Sequence, residues 1–138
     1  MQQWSWSAIW RAALSVATFA VPLALAQNWL TDSGRIESDG SANYLLFGLI
    51  LLCGVIGGFG GAALVDHKKL EHGAAAAAVA TMAIHVAGAV RRILAGEPLS
   101  SPLAWMFTAL LMATCGMIGA ALEKKTSGLR STPMKRGG

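Results

Sequence analysis

At 138 residues the chain has room for one domain, and only 13% of it is charged against 54% hydrophobic, with a mean hydropathy of +0.52. Ordinary globular domains carry about 25% charged residues, and a soluble helical bundle needs a polar stripe along each helix. Both are missing, which argues against a water-soluble fold and leaves no length for a separate catalytic domain.

Four apolar stretches cover most of the chain, at about residues 12–30, 44–65, 73–90 and 102–122. Each is close to the roughly 20 residues that a helix needs to cross a hydrocarbon core about 30 Å thick. A helix also satisfies its own backbone polar groups in lipid. The expected fold is all-α: a polytopic four-transmembrane-helix bundle forming one domain over residues 1–125, with a flexible basic tail over 126–138.

The first stretch is flanked by Trp4, Trp6 and Trp10 before it and Trp29 near its end. Indoles favour the headgroup region, so these residues, with Trp105 later, read as depth markers rather than a stacking platform. Ala24-Leu25-Ala26 has the form of a signal-peptide cleavage site, with Arg11 as the positive flank. Apolar character nevertheless continues to Trp29-Leu30, which favours an uncleaved helix. Pro22 sits late in this stretch, where neighbouring helices can compensate for the lost backbone bond.

The second stretch carries Gly54, Gly57, Gly58, Gly60 and Gly61, with Gly54/Gly58 and Gly57/Gly61 in GxxxG spacing. Lipid does not drive helices together by the hydrophobic effect, so close approach at small residues takes that role. Gly54, Gly57, Gly58 and Gly61 are therefore expected at helix contacts, as are Gly116, Gly119 and Ala120 in the fourth stretch. A sharper alternative is local unwinding at residues 57–61, exposing carbonyls to an ion or substrate. The connection that follows, Asp66-His67-Lys68-Lys69-Leu70-Glu71-His72, reads as a solvated turn. Its Lys68 and Lys69, like Lys124 and Lys125, are expected near anionic headgroups. His67 and His72 are five apart, poor spacing for one helical face, and no metal site is expected.

The third stretch is an alanine ridge that contains His85, the one His, Lys, Arg, Asp or Glu well inside a span. Such a residue is a functional candidate, for proton relay or ligand binding. Satisfaction by Thr18, Thr81 or a backbone carbonyl is the structural alternative. Arg91 and Arg92, with Glu97 beyond them, fit either a grip on a phosphate or acidic partner, or interfacial snorkelling. Cys53 and Cys115 lie inside spans with no His or second Cys at ligand spacing and read as packing residues; no cofactor is expected.

The basic residues set a topology. Arg11, Lys68, Lys69, Lys124, Lys125, Arg130, Lys135 and Arg136 fall on one side, and only Arg35, Arg91 and Arg92 on the other, eight against three. The positive-inside rule places both termini in the cytoplasm of a multi-pass plasma-membrane protein. This distribution explains the net charge of +4 without nucleic acid as a partner.

A two-helix repeat is suggested by the pairs Val16–Val21 with Val79–Ile84 and Cys53–Gly57 with Cys115–Gly119, at offsets of 63 and 62 residues. Gly61–Leu64 matches Gly119–Leu122 at 58, so the register stays open. Tandem helical hairpins about a pseudo-twofold axis would produce such matches.

Gly57-Gly58-Phe59-Gly60-Gly61, running through the charged connection to His72-Gly73-Ala74, resembles a group of small four-helix bacterial integral membrane proteins of uncharacterised function. Arg11-Ala12-Ala13 and the segment Gly116–Ala121 fit the same layout. The resemblance implies four helices with both ends inside and brings no catalytic or binding residues.

No nucleophile–base pair, carboxylate pair or phosphate-binding glycine loop occurs, so an enzyme is not expected. The leading expectation is an accessory or structural subunit, or a self-associating protein, in a homo-oligomer or larger membrane complex. Alternatives are a small oligomeric transporter or channel lined by His85, Thr18, Thr81 and Thr114, and a phage holin.

Overall fold

In the computed structural model, which describes residues 5–130 with side chains through residue 128, the apolar stretches form four helices. They are α1 (Trp6–Asp32), α2 (Ser41–Ala63), α3 (Lys69–Ala95) and α4 (Pro102–Arg130). Each is long and apolar enough to cross a membrane. With 23 to 29 residues apiece, they extend about 35–43 Å at 1.5 Å per residue. They therefore overrun the apolar stretches at several ends. α3 starts at Lys69, a turn before the expected boundary, so His72 and Gly73 are helical. α4 continues through residues 126–130, a correction to their expected place in a flexible tail. Residues 131–138 and Trp4 lie outside the described residues.

Local chemistry accounts for the sharp turns. Gly34 (φ +68°) and Gly96 (φ +69°) adopt the left-handed conformation just past α1 and α3. At the first, Arg35 N–H bonds Leu30 O and Gly34 N–H bonds Thr31 O; at the second, Glu97 N–H bonds Arg92 O and Gly96 N–H bonds Ile93 O. Both are Schellman closures, which satisfy the last helical carbonyls. Pro102 opens α4, where its missing N–H costs no helical bond.

Successive helices run antiparallel. The start of α1, the α2–α3 connection and the end of α4 share one end of the bundle, here called proximal. The α1–α2 and α3–α4 loops share the other, the distal end. α2 and α3 each touch all other helices, whereas α1 and α4 make no close backbone approach to each other. The bundle is thus a rhombus with α2 and α3 on its short diagonal. Two tandem hairpins are present, but a twofold exchanging them would map the α2–α3 contact onto α1–α4, which is missing.

The interior is built from small side chains: Ala13, Ala20, Ala77 and Ala80 with Val16, Cys53 and Met112. Large apolar side chains point outward, among them Leu14, Phe19, Leu45, Leu94, Leu103 and Phe107. That is the reverse of a water-soluble bundle, and it fits a solvent as apolar as the side chains themselves.

Three helices meet at bare backbone. A Cβ on Gly58 would lie 2.5 Å from Gly116 Cα, and one on Gly73 would lie 2.8 Å from both Gly116 O and Ala120 Cβ and 3.1 Å from Gly58 O. A Cβ on Gly119 would strike α2 at Val55 O and, at 2.7 Å, Phe59 N. Gly57 and Gly61 face α1 instead, at Val16 and at Ala12 Cβ, the latter 2.9 Å from the added carbon. The two Cys-Gly-x-x-Gly segments of the suggested repeat therefore pack on each other, since Gly54 meets Met112 and Cys115.

The proximal end departs from the expected solvated turn. His72 is fully buried (0% exposed). Its Nδ1–H donates to Lys68 O at 3.0 Å, and its Nε2 accepts from Ser5 N–H at 3.2 Å. Lys68 is held in the left-handed region (φ 50°), and its carbonyl receives both His72 N–H and the ring. The correction has a physical cause: with α3 starting at Lys69, His72 falls on the inner face beside Gly73. Lys69 is likewise turned inward, its Nζ 2.8 Å from Glu123 Oε2, joining α3 to α4 with side chains 21% and 10% exposed. Lys68 pairs with Glu71 at 3.7 Å, while Lys124 and Lys125 are exposed.

Two outcomes are expected. Gly58→Val and Gly116→Val each force backbones apart and lower stability by at least about 1–3 kcal/mol, whereas Gly60→Val, with nothing within 4 Å of the added carbon, leaves it unchanged; thermal melts in mild detergent read the difference. His72→Ala removes the acceptor of the half-buried Ser5 N–H and costs about 1–3 kcal/mol in the same assay.

Candidate functional site

Because α1 and α4 stand apart, a cleft of about 480 Å³ opens between them in the distal half, floored by α3. Val21, Ala24 and Leu25 of α1 and Ile84 of α3 give it apolar walls. Its polar groups come from every side: Asn28 from α1, His85, Arg91 and Arg92 from α3, and Ser100 from the α3–α4 loop. Gly88 leaves the floor open, since a Cβ there would meet nothing within 4 Å.

His85 is the deepest of these groups. Its Nε2 lies 2.5 Å from Thr108 Oγ1 of α4. The Thr108 hydroxyl is in turn 2.9 Å from Ala104 O and 3.1 Å from Trp105 O. With the hydroxyl hydrogen directed at those carbonyls, Oγ1 accepts from Nε2–H, and Nδ1 is left as an acceptor. The Trp105 ring stacks on the imidazole, 5.4 Å between centroids and 4° from parallel. Trp105 is therefore a stacking partner as well as an interfacial residue, a correction to its reading as a depth marker alone. Trp29 is engaged as well, with the Arg35 guanidinium 4.7 Å from its ring centroid.

The two arginines have separate tasks. Arg92 Nη1 donates to Pro98 O at 3.1 Å, tying the α3–α4 loop to α3. Arg91 is exposed, lines the cleft and has no ion-pair or hydrogen-bond partner among the described residues. It lies six residues beyond His85, about 9 Å further along the helix axis. The cleft thus has a cationic mouth, apolar walls and an acceptor at depth. That combination suits a molecule with an anionic head and an apolar body.

Other residues singled out in the sequence do not join it. Thr18 and Thr114 are exposed and bond within their own helices, to Leu14 O and Leu110 O. Thr81 is buried and bonds Ala77 O. The partner of His85 is Thr108, which sequence reasoning missed because it lies one helix on, 23 residues away. Gly54, Gly57, Gly58, Gly61, Gly116, Gly119 and Ala120 are all buried and face neighbouring helices of the same chain. Residues 57–61 are regular helix, not unwound. Both cysteines are free thiols. Among the described residues no three His, Cys, Asp or Glu side chains are placed to hold a metal ion. No protein-family model, curated protein or solved structure matches the chain.

The hydrogen-bond networks require opposite ring tautomers. Nitrogen-15 NMR of the histidine side chains in detergent micelles is expected to find His72 protonated at Nδ1 and His85 at Nε2. Thr108→Val should perturb the second spectrum and leave the first unaltered.

Proposed function

We propose that this protein is a non-enzymatic accessory protein of the bacterial plasma membrane that binds an anionic amphiphile in its distal cleft. The positive-inside bias puts both termini and the α2–α3 connection in the cytoplasm, so the cleft opens toward the outer leaflet. The observation that carries the reading is Arg91, a cation with no partner among the described residues, in a cleft with apolar walls that His85 also lines.

Binding is favoured over catalysis because the polar partner of His85 is an acceptor hydroxyl engaged with backbone carbonyls, an arrangement that orients the ring without activating a nucleophile. Self-association through glycine faces is less favoured, because the glycines expected at interfaces contact helices of the same chain. A pore lined by His85, Thr18, Thr81 and Thr114 is less favoured as well, because these side chains diverge. In the cleft, Arg91 is a polar group that has no partner among the described residues.

Dodecyl phosphate titrated into protein in dodecyl maltoside is expected to change tryptophan fluorescence saturably, with the change lost in Trp105→Phe. Arg91→Ala should weaken binding about tenfold, the worth of one charge-assisted contact. Gly88→Leu, whose added Cβ meets nothing within 4 Å and which puts bulk into the cleft floor, should abolish it. Undiminished binding in Gly88→Leu would exclude the cleft.

A further inference from the structure

A second concavity lies on the opposite half of the bundle. Between α1 and α2 a groove of about 750 Å³ runs along the outer surface, its walls formed by Ala12, Phe19 and Leu23 on α1, Cys53 and Ile56 on α2, and Leu64 just past the end of α2. Gly57 and Gly60 belong to its α2 side, and a Cβ on Gly60 would meet nothing within 4 Å. Arg11 and Ser15 are its polar residues. The Ser15 hydroxyl donates to Arg11 O, so it is turned to the backbone. The Arg11 side chain is exposed, with no ion-pair or hydrogen-bond partner among the described residues and no carboxylate in the groove.

We infer that this groove holds one acyl chain of an anionic phospholipid from the proximal leaflet, with the lipid phosphate on Arg11. Length and charge together select that occupant. From Arg11 to Leu23 is twelve residues, about 18 Å of helix rise, which is close to one leaflet, half of the roughly 30 Å hydrocarbon core. A partner helix or second copy would lie along the full length of α1 and α2, whereas this groove covers only their proximal halves, from Arg11 to Leu23 and from Leu64 back to Cys53. At its mouth Arg11 lies among the exposed Trp6 and Trp10, at the depth where headgroups sit. A guanidinium offers phosphate two parallel N–H donors, a geometry that neutral headgroup parts do not match. The site is separate from the distal cleft: it lies between a different pair of helices and shares no lining residue with it.

Native mass spectrometry from a neutral detergent tests the assignment, with dioleoyl phosphatidylglycerol and dioleoyl phosphatidylcholine as probes. It is done in the Gly88→Leu background, so that the distal cleft does not contribute. One retained phosphatidylglycerol per chain is expected, with phosphatidylcholine about tenfold weaker because it carries no net charge. Arg11→Ala should bring phosphatidylglycerol down to the phosphatidylcholine level. Gly60→Leu, whose added Cβ meets nothing within 4 Å and which puts bulk into the groove, should remove both adducts. Gly48→Leu, equally free of neighbours within 4 Å but outside the groove, should keep them. Retention of phosphatidylglycerol in Gly60→Leu, or equal retention of the two lipids by the parent, would overturn the proposal. So would a shift from dimer to monomer in Gly60→Leu by light scattering, since the groove would then be an interface between copies.

Discussion

The backbone approach of α2, α3 and α4 at Gly58, Gly73 and Gly116 constrains everything else in this structure. In lipid, apolar side chains gain nothing by leaving their solvent, so attraction between helices comes from van der Waals contact and from the few polar groups that find partners. Removing side chains at three facing positions lets backbones touch along a short segment, where a single added carbon would fall within 3 Å of a neighbour. The alanines around this node keep the same close spacing, and the large side chains are left to face lipid. α1 joins through the other glycine face of α2, at Gly57 and Gly61, and for that reason sits across the rhombus from α4.

That offset arrangement is what creates recesses. A square four-helix bundle places each helix against two neighbours; here α2 and α3 fill the short diagonal and α1 and α4 remain apart. The distal gap between them is the cleft with His85 at depth and Arg91 at the mouth. The groove between α1 and α2 opens in the proximal half, where Gly60 leaves its wall low. Each recess pairs apolar walls with one arginine that has no partner among the described residues, one in each half of the bundle. The polar groups that the fold does need are tied elsewhere, with His72 clamping Ser5 and Lys68 and with Lys69 joined to Glu123. Those contacts tie three chain segments together at the proximal end, where α3 begins.

Much of the fold was legible in the chain and much of the site was not. Apolar stretches of transmembrane length, separated by charged connections, are a one-dimensional signal, so the four helices could be read in order. The ends were less clear, because a helix continues past its apolar core whenever its polar turns find partners. Lys69 and His72 find them in α4 and in the segment before α1, which is invisible to local pattern. His85 stood out as an ionisable residue in a span, but its partner Thr108 and its stacking ring Trp105 belong to another helix. Gly73, at the centre of the packing node, looked like the first residue of a helix rather than an interior contact.

What the sequence by itself determined is the solvent and the elements: charge confined to the gaps and ends, and helices long enough to cross lipid. Which glycine faces which helix, which of two adjacent arginines is tethered to the α3–α4 loop, and which histidine is buried were decided only by the tertiary structure. The reason is geometric. Periodicity along a chain assigns a residue to a face of its own helix, but the neighbour across that face is fixed by how all four helices pack, and small side chains allow several such packings until backbone contact selects one.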